Sequence, residues 1–383
     1  ATTIITASPN RVEPKDPHFL SSAPWEMISD EGEAEWKKNM AAEVYSKIGD
    51  MILSAGDLEL VGNEHMYGYR NKMEFSFAHV DPSHDADKAV YHPTSLALFE
   101  RGGRTCFPIE SAATAEDCIN QTANDILDWV QEVRIPLRSL KSLIIRSNGA
   151  GETIAGIFLK DKLHFDTYPA LTKSLVGFTA YYSTHKSPAS VPTEELYTEG
   201  QQYLIADILG TKLAFGLLSF FQVNIPIFTK ALKDIAAFLD PKKPLLDYYS
   251  GVGAIGLALS QNREHTLLVE SNEEAAHYAA ENIRENNKTN CEILCLPAEK
   301  TVEHITGNKS IIVDPPRAGL HEKVIQTLLK ELPPQIIYLS CNLSTQARDI
   351  RMLSSMYKPV FIKLYNFFPK TPHIEGLVVL ERV

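Results

Sequence analysis

The chain has 383 residues, 44% of them hydrophobic and 22% charged, which excludes disorder and fibrous structure and leaves room for two or three packed units. No stretch approaches the roughly 18 uninterrupted apolar residues of a membrane helix, and the opening ATTIITASPNRVEPKD lacks a secretion signal's apolar core, so a cytoplasmic protein with no membrane partner is expected. The net charge of −11 argues against a general nucleic-acid binder, because contacts to phosphates need a basic footprint.

In chain order, residues 8–30 are rich in Pro, Ser and acid, and residues 31–55 carry apolar positions at helical spacing. From Tyr67 to about Phe215, short apolar segments bounded by Gly, Asn, Asp or Pro predict strands, interrupted by one helix near 114–132. Local basic clusters in this stretch (Arg70/Lys72, Arg101/Arg104 and Arg134/Arg138/Lys141/Arg146) read as solvated faces unless an RNA occupies them. Beyond residue 230, strands at 244–250, 265–270, 292–296, 310–314 and 335–340 alternate with helices, and a final pair falls near 359–365 and 376–382. This alternation predicts an α/β, doubly wound parallel sheet. The most regular helix spans 272–287, with Asn272 as its cap. These texture changes divide the chain into 1–60, a β-rich 61–215 and a sheet domain at 216–383.

The five cysteines (Cys106, Cys118, Cys291, Cys295 and Cys341) are too few and scattered to staple a fold. Reduced thiols are the expectation. Cys291 and Cys295 are four apart with no second pair nearby, so no metal site is expected.

Ligands of open α/β sheets bind outside the carboxyl ends of the strands. There the sequence places Asp247, Tyr249, Glu270, Asp314 and Cys341. The first turn, Gly251-Val252-Gly253-Ala254-Ile255-Gly256, satisfies G-x-G-x-x-G, and Glu270 follows where a ribose-binding acid would stand. Both NAD and S-adenosylmethionine (SAM) are compatible. Asp247 suits the ammonium of SAM and would repel a pyrophosphate. Asp314-Pro315-Pro316-Arg317 leaves the fourth strand as a stiff segment. Amino-group methyltransferases often carry Asn there, so the aspartate argues for another target atom. Ser340-Cys341-Asn342 presents a thiol at a strand end, and Gln222 offers a donor and an acceptor to a planar ring edge. If the tail Phe368-Pro369-Lys370-Thr371-Pro372-His373-Ile374-Glu375 is extended, Thr371, His373 and Glu375 share one face.

Six stretches occur in the order seen in the RNA uracil-5-methyltransferases: Tyr69-Arg70-Asn71-Lys72, Phe220-Phe221-Gln222-Val223-Asn224, Asp247-x-x-x-Gly251-x-Gly253, Asp314-Pro-Pro-Arg-Ala-Gly319, Ser340-Cys341-Asn342 and Phe368-Pro-x-Thr-x-His-x-Glu375. The chain resembles that family from about Ser8 to Val383. The resemblance implies a Rossmann-like SAM-dependent methyltransferase sheet, mostly parallel with an antiparallel last strand, beside a β-rich α+β domain that grips RNA, and an N-terminal helix packed on the catalytic domain. It implies methylation of uracil C5 through a covalent bond from Cys341 to C6, with Glu375 as the base that removes the C5 proton, preferred to His373 by motif position. Gln222, Tyr249, Gly251, Gly253, Glu270 and Asp314 match SAM-contacting positions, and Arg70, Lys72, Gln222, Asp314 and His373 are expected toward the RNA. A uridine in folded RNA must be flipped out to reach such a pocket.

Three departures stand out. Many relatives hold an iron–sulfur cluster on a C-x5-C-x2-C run plus a fourth cysteine; here the positions are Asp16, Ser22 and Trp25, leaving Cys106, so no cluster is expected. Relatives often begin with a small RNA-binding barrel that this sequence lacks, and with no initiator Met a trimmed chain is expected. Leu343 replaces the proline usual after Ser-Cys-Asn. The expected partner is a structured RNA, the tRNA T-loop ahead of large-subunit rRNA, acted on by a monomer. The alternatives are a cytosine-C5 RNA methyltransferase and a non-catalytic SAM- and RNA-binding assembly factor.

Overall fold

The computed structural model describes residues 6–62, 64–80, 93–103, 105–186 and 190–383; Arg104 lies outside the described residues. The N-terminal segment holds α1 (Phe19–Ser22), α2 (Asp30–Lys47) and β1 (Leu60–Val61). Ser29 caps α2 by accepting from the Gly32 N–H at 3.1 Å, and Asp30, Glu31 and Glu33 in the first turn complement the helix dipole. The buried stripe of α2 is not the expected apolar one. It runs Glu33, Lys37, Ala41, Tyr45 at four-residue spacing, so half of it is charged.

The central domain contains β2 (Lys72–His79), β3 (Thr94–Phe99), β4 (Cys106–Pro108), α3 (Asp117–Glu132), β5 (Leu140–Ser147), β6 (Thr153–Leu159), β7 (Leu175–Tyr182) and β8 (Glu194–Gly200). Its sheet has the order β4-β3-β2-β5-β6-β7-β8, antiparallel except for β6 with β7. Helix α3 buries Ile119, Ala123, Ile126 and Val130 against Phe75, Leu143, Ile145, Ala155 and Ile157 of the sheet.

The next hairpin, β9 (Tyr203–Ile208) and β10 (Thr211–Gly216), turns through Leu209 and Gly210, both at positive φ as a two-residue hairpin turn requires. Its apolar face joins a cluster that the following domain shares with Ile144, Ile154 and Phe158 of the central one, and α5 (defined below) donates from Asn282 and Asn286 to its Ala214 and Lys212 carbonyls. The hairpin thus makes contacts across the expected boundary at 215/216.

That domain contains α4 (Ile225–Phe238), β11 (Leu245–Tyr248), β12 (Thr266–Glu270), α5 (Glu273–Glu285), β13 (Cys291–Cys295), β14 (Ser310–Val313), α6 (Glu322–Glu331), β15 (Gln335–Ser340), α7 (Leu343–Leu353), β16 (Tyr357–Tyr365) and β17 (Glu375–Arg382). Strand order is β1-β16-β17-β15-β14-β11-β12-β13. The pairs from β15 to β13 are parallel, and β17 runs antiparallel to both neighbours. Separate apolar clusters cover the sheet's two faces, and α2 belongs to one of them through Ala41 and Tyr45. Asn272 caps α5 as expected, accepting from the Ala275 N–H at 2.9 Å.

Arg146 joins the two larger domains. It is fully buried, and its guanidinium donates to the carbonyls of Gly216, Ser219 and Phe221 while lying over the Phe215 ring. Burial pushes it down to about 9. The cluster that read as a solvated or RNA-facing patch thus contributes Arg146 to an internal clasp.

Candidate active site

Strand register brings the proposed nucleophile and base together. Ser340 at the end of β15 pairs with Gly376 in antiparallel β17, so one further step in the same register sets Cys341 against Glu375. The two are 34 positions apart in the chain and share a cavity of about 180 Å³ with Gln222, Arg317, Phe368 and His373. Larger concavities lie elsewhere, one of about 1200 Å³ between the N-terminal segment and the central domain. The small one sets its thiol, buried carboxyl and planar amide at the carboxyl ends of the sheet strands, where ligands of such folds bind.

Local structure fixes the thiol. Asn342 caps α7 by accepting from the Ser344 N–H at 3.1 Å, while its amide donates to the Arg317 carbonyl at 2.8 Å. Leu343, the departure from the family's proline, opens α7 as a buried residue of the apolar cluster. A helix start ordinarily favours a thiolate. Here burial, then the Glu375 and Asp314 carboxyls, push Cys341 up to about 11 against the opposing Arg317. Burial outweighs the helix start and the cation in the free protein.

Those acids form a desolvated set. Glu375 is buried, and burial with Asp314 beside it holds its carboxyl well above the usual range. Asp314 is pushed up to about 7 by burial. Asp247, fully buried, is pushed up to about 8 by burial, with Asp314 and Glu270 adding to the effect and the Gly256 N–H opposing it. That N–H reaches Asp247 Oδ2 at 2.8 Å. The approach needs glycine: a Cβ on Gly256 would lie 2.7 Å from Asp247 Oδ2 and 2.3 Å from Leu268 Cδ2. Asp247 Oδ1 and Ser250 Oγ are buried with no hydrogen-bond partner.

The remaining residues divide. Gln222 Nε2 is 3.4 Å from Asp314 Oδ2, and Asn71 holds the Gln222 carbonyl at 2.9 Å. Tyr249 has φ 63, and it lines a second crevice with Gly251 and Asp314 beside the first. Gly251 and Gly253 both have positive φ, and the Gly251 N–H donates to Glu270 at 2.9 Å. Arg70 sits over the Phe368 ring at 6.0 Å but does not itself line the cavity. Lys72 does not line the cavity; burial and Arg146 push it down to about 8, with Glu74 and Glu274 opposing. The tail is not extended: Lys370 has φ 59 and Thr371 turns inward to the Phe368 carbonyl at 2.8 Å, while His373 and Glu375 both reach the cavity. Burial, Arg317, Lys37 and Arg70 depress His373. Sequence reasoning missed Phe220, which is 66% exposed at the mouth of both cavities, and Arg317, the cation opposing the acids. Both lie inside the quoted motifs, which was the available signal.

At the degenerate cluster positions, Ser22 donates to Asp16 at 2.7 Å and the Trp25 N–H donates to the Lys370 carbonyl at 2.9 Å. No group of three or more His, Cys, Asp or Glu side chains among the described residues could hold a metal ion. No helix among them is long and apolar enough to cross a membrane.

A family model described as tRNA (uracil-5-)-methyltransferase matches residues 212–383. An uncharacterized RNA methyltransferase of Clostridium tetani is 28% identical over 393 residues, covering 98% of this chain and 85% of that protein. Another, from Caldanaerobacter subterraneus subsp. tengcongensis, is 27% identical over 405 residues, covering 99% and 87%. The crystal structure of Pyrococcus abyssi tRNA (uracil-54, C5)-methyltransferase in complex with S-adenosyl-L-homocysteine superposes with a TM-score of 0.80 at 21% identity, covering 99% of this chain and 88% of that one. The expected methyltransferase fold is the observed one.

Proposed function

We propose that this chain, an RNA methyltransferase of the uracil-5 family by its ordered motifs and its family match, methylates uracil C5 in a structured RNA, with the tRNA T-loop as first candidate. The observation that carries the reading is the register that sets Cys341 against Glu375 in a cavity sized for one small ring.

The residues fit SAM. Asp247 Oδ1 and Ser250 Oγ are buried acceptors without partners, and desolvation holds the Asp247 and Asp314 carboxyls partly protonated. A cationic ligand relieves that cost, whereas a pyrophosphate adds to it. Asp247, Tyr249, Gly251, Gly253, Glu270 and Asp314 would hold it, and it would supply a sulfonium-activated methyl group. Cys341 acts on the base. Its thiolate forms a bond to C6, the C5=C6 electron pair moves onto C5 and the C4 carbonyl, and C5 becomes nucleophilic. After methylation, Glu375 takes the C5 proton, the pair reforms C5=C6, and the bond to Cys341 breaks. Burial raises the proton affinity of Glu375, which makes its ionised form a stronger base for that step. Gln222 and Asp314 lie where they can bind the ring edge, His373 lines the cavity, and Arg70 stands behind it over the Phe368 ring. We propose no iron–sulfur cluster, since one thiolate, Cys106, cannot hold one.

The test is incubation of the purified chain with methyl-labelled SAM and unmodified tRNA, then nucleoside analysis. The expected product is 5-methyluridine; label in 5-methylcytidine, or in no nucleoside of tRNA or rRNA, refutes the proposal. A second expectation follows from charge. Carboxyls protonated in the free protein must ionise to meet a cation, so SAM affinity should rise from pH 6 to about 8, by up to about tenfold per unit for each proton released. It should level off where the ligand's own α-amino group loses its charge, near its usual 7.7–8.0. Calorimetry in two buffers of different ionisation enthalpy reads the released protons, and a flat affinity would contradict the assignment of Asp247 and Asp314.

A further inference from the structure

The Glu375 carboxyl stands at the end of an irregular segment, 366–374, between β16 and β17. Nothing in that segment's own secondary structure fixes it, and Lys370 within it adopts a left-handed φ of 59 that side chains disfavour. Strained backbone persists only where its surroundings over-determine it. Here the surroundings are α2 and the turn before it. Glu33 and Lys37 are both completely buried and 2.8 Å apart. Lys37 Nζ donates to Asn366 Oδ1 at 2.7 Å and to the Phe368 carbonyl at 3.1 Å. Glu33 accepts from the Asn366 amide at 3.0 Å and from the Lys370 N–H at 3.1 Å. The Lys370 ammonium reaches the Ile28 carbonyl at 2.9 Å and the Asp30 carboxylate at 2.5 Å. On the far side of Glu375, Tyr45 donates to Gln346 Oε1 at 2.6 Å, and the Gln346 amide donates to the Gly376 carbonyl at 2.9 Å. A Cβ on Gly376 would lie 2.4 Å from the Tyr45 hydroxyl.

We propose that α2, which lies outside the 212–383 family match, is the positioning element for the Glu375 carboxyl: Glu33 and Lys37 set the chain before it, and Tyr45 acts through Gln346 on the chain after it. A buried ion pair is an expensive way to stabilise a fold, since apolar replacements often serve as well. This pair directs its remaining hydrogen bonds to one loop, as orientation of a proton acceptor demands. The inference rests on the reading of Glu375 as the base.

The experiment separates the two steps of the reaction. The native chain and the E33Q/K37M, K370G and E375Q variants are each mixed with SAM and in-vitro-transcribed tRNA carrying tritium at uracil C5. Single-turnover methyl transfer reports Cys341, and tritium release with loss of an SDS-resistant protein–RNA adduct reports Glu375. For E33Q/K37M the expectation is near-native SAM affinity and methyl transfer, tritium release slowed about 100-fold, and accumulated adduct. General loosening of the fold would slow both steps together, and that result, or no slowing at all, overturns the inference. If E33Q/K37M does not fold, K370G carries the test, because glycine takes the left-handed φ freely while losing the side-chain anchors; it should slow release about tenfold. E375Q is the reference. If it accumulates no adduct, the reading of Glu375 itself fails; if it does and the α2 variants do not, only the positioning role falls.

Discussion

Cys341→Ala is expected to lose at least about 10⁴-fold in turnover, because covalent addition leaves no alternative route once its nucleophile is gone. Cys341→Ser should fare no better, since a hydroxyl is harder still to ionise where burial, then the Glu375 and Asp314 carboxyls, already push the thiol up to about 11. SAM binding should remain near native. Cys341 lines the ring-sized cavity, whereas Ser250 lines the neighbouring crevice and Asp247 is buried outside both linings. Because Cys341 is partly exposed, its truncation should change stability by no more than about 0.5 kcal/mol. Methyl transfer and calorimetry on the same preparation check both halves. Retained turnover in Cys341→Ala would remove the covalent mechanism, and lost SAM binding would mean that the variant perturbs more than the nucleophile.

Glu375→Gln is expected to stall the reaction one step later. Removing a positioned proton acceptor costs about 10²–10⁴-fold, and here the loss falls on release of the product. The variant should transfer about one methyl per chain and then remain bonded to RNA, visible as a band that survives denaturing electrophoresis. It should also fold well. In the native chain the Glu375 carboxyl is raised far above its unfolded value, so its contribution to stability is fully present below the unfolded pKa of about 4.3 and is lost as pH rises toward the folded one. A neutral amide has no such loss. Glu375→Gln should therefore melt at or above the native temperature at pH 8 to 9, and a marked destabilisation there would show that the carboxyl is ionised in the free protein.

Much of the sheet domain was legible locally. The strands after residue 240 and the α5 cap fall within a few positions of expectation, because buried parallel strands are continuous apolar runs and caps are short-range hydrogen bonds. The packing of the β9–β10 hairpin on α5 was not legible, because its alternation says that one face is buried but not against what. Arg146 and Lys72 read as surface cations for the same reason. Their surroundings include distant residues, Gly216 for Arg146 and both Arg146 and Glu274 for Lys72.

The order of chemical groups at the strand ends, and with it the class of reaction proposed, was determined by the amino-acid sequence alone, since strand ends and glycine turns are written in neighbouring residues. Only the tertiary structure decided which of those groups meet. A one-residue shift between β15 and β17 would turn Glu375 away from Cys341, and register depends on packing across the whole sheet. The structure also decided the part played by α2. Glu33 and Lys37 look in the sequence like any solvated i,i+4 pair. They are buried because the loop they hold returns from 329 positions away, a distance over which no local pattern carries information.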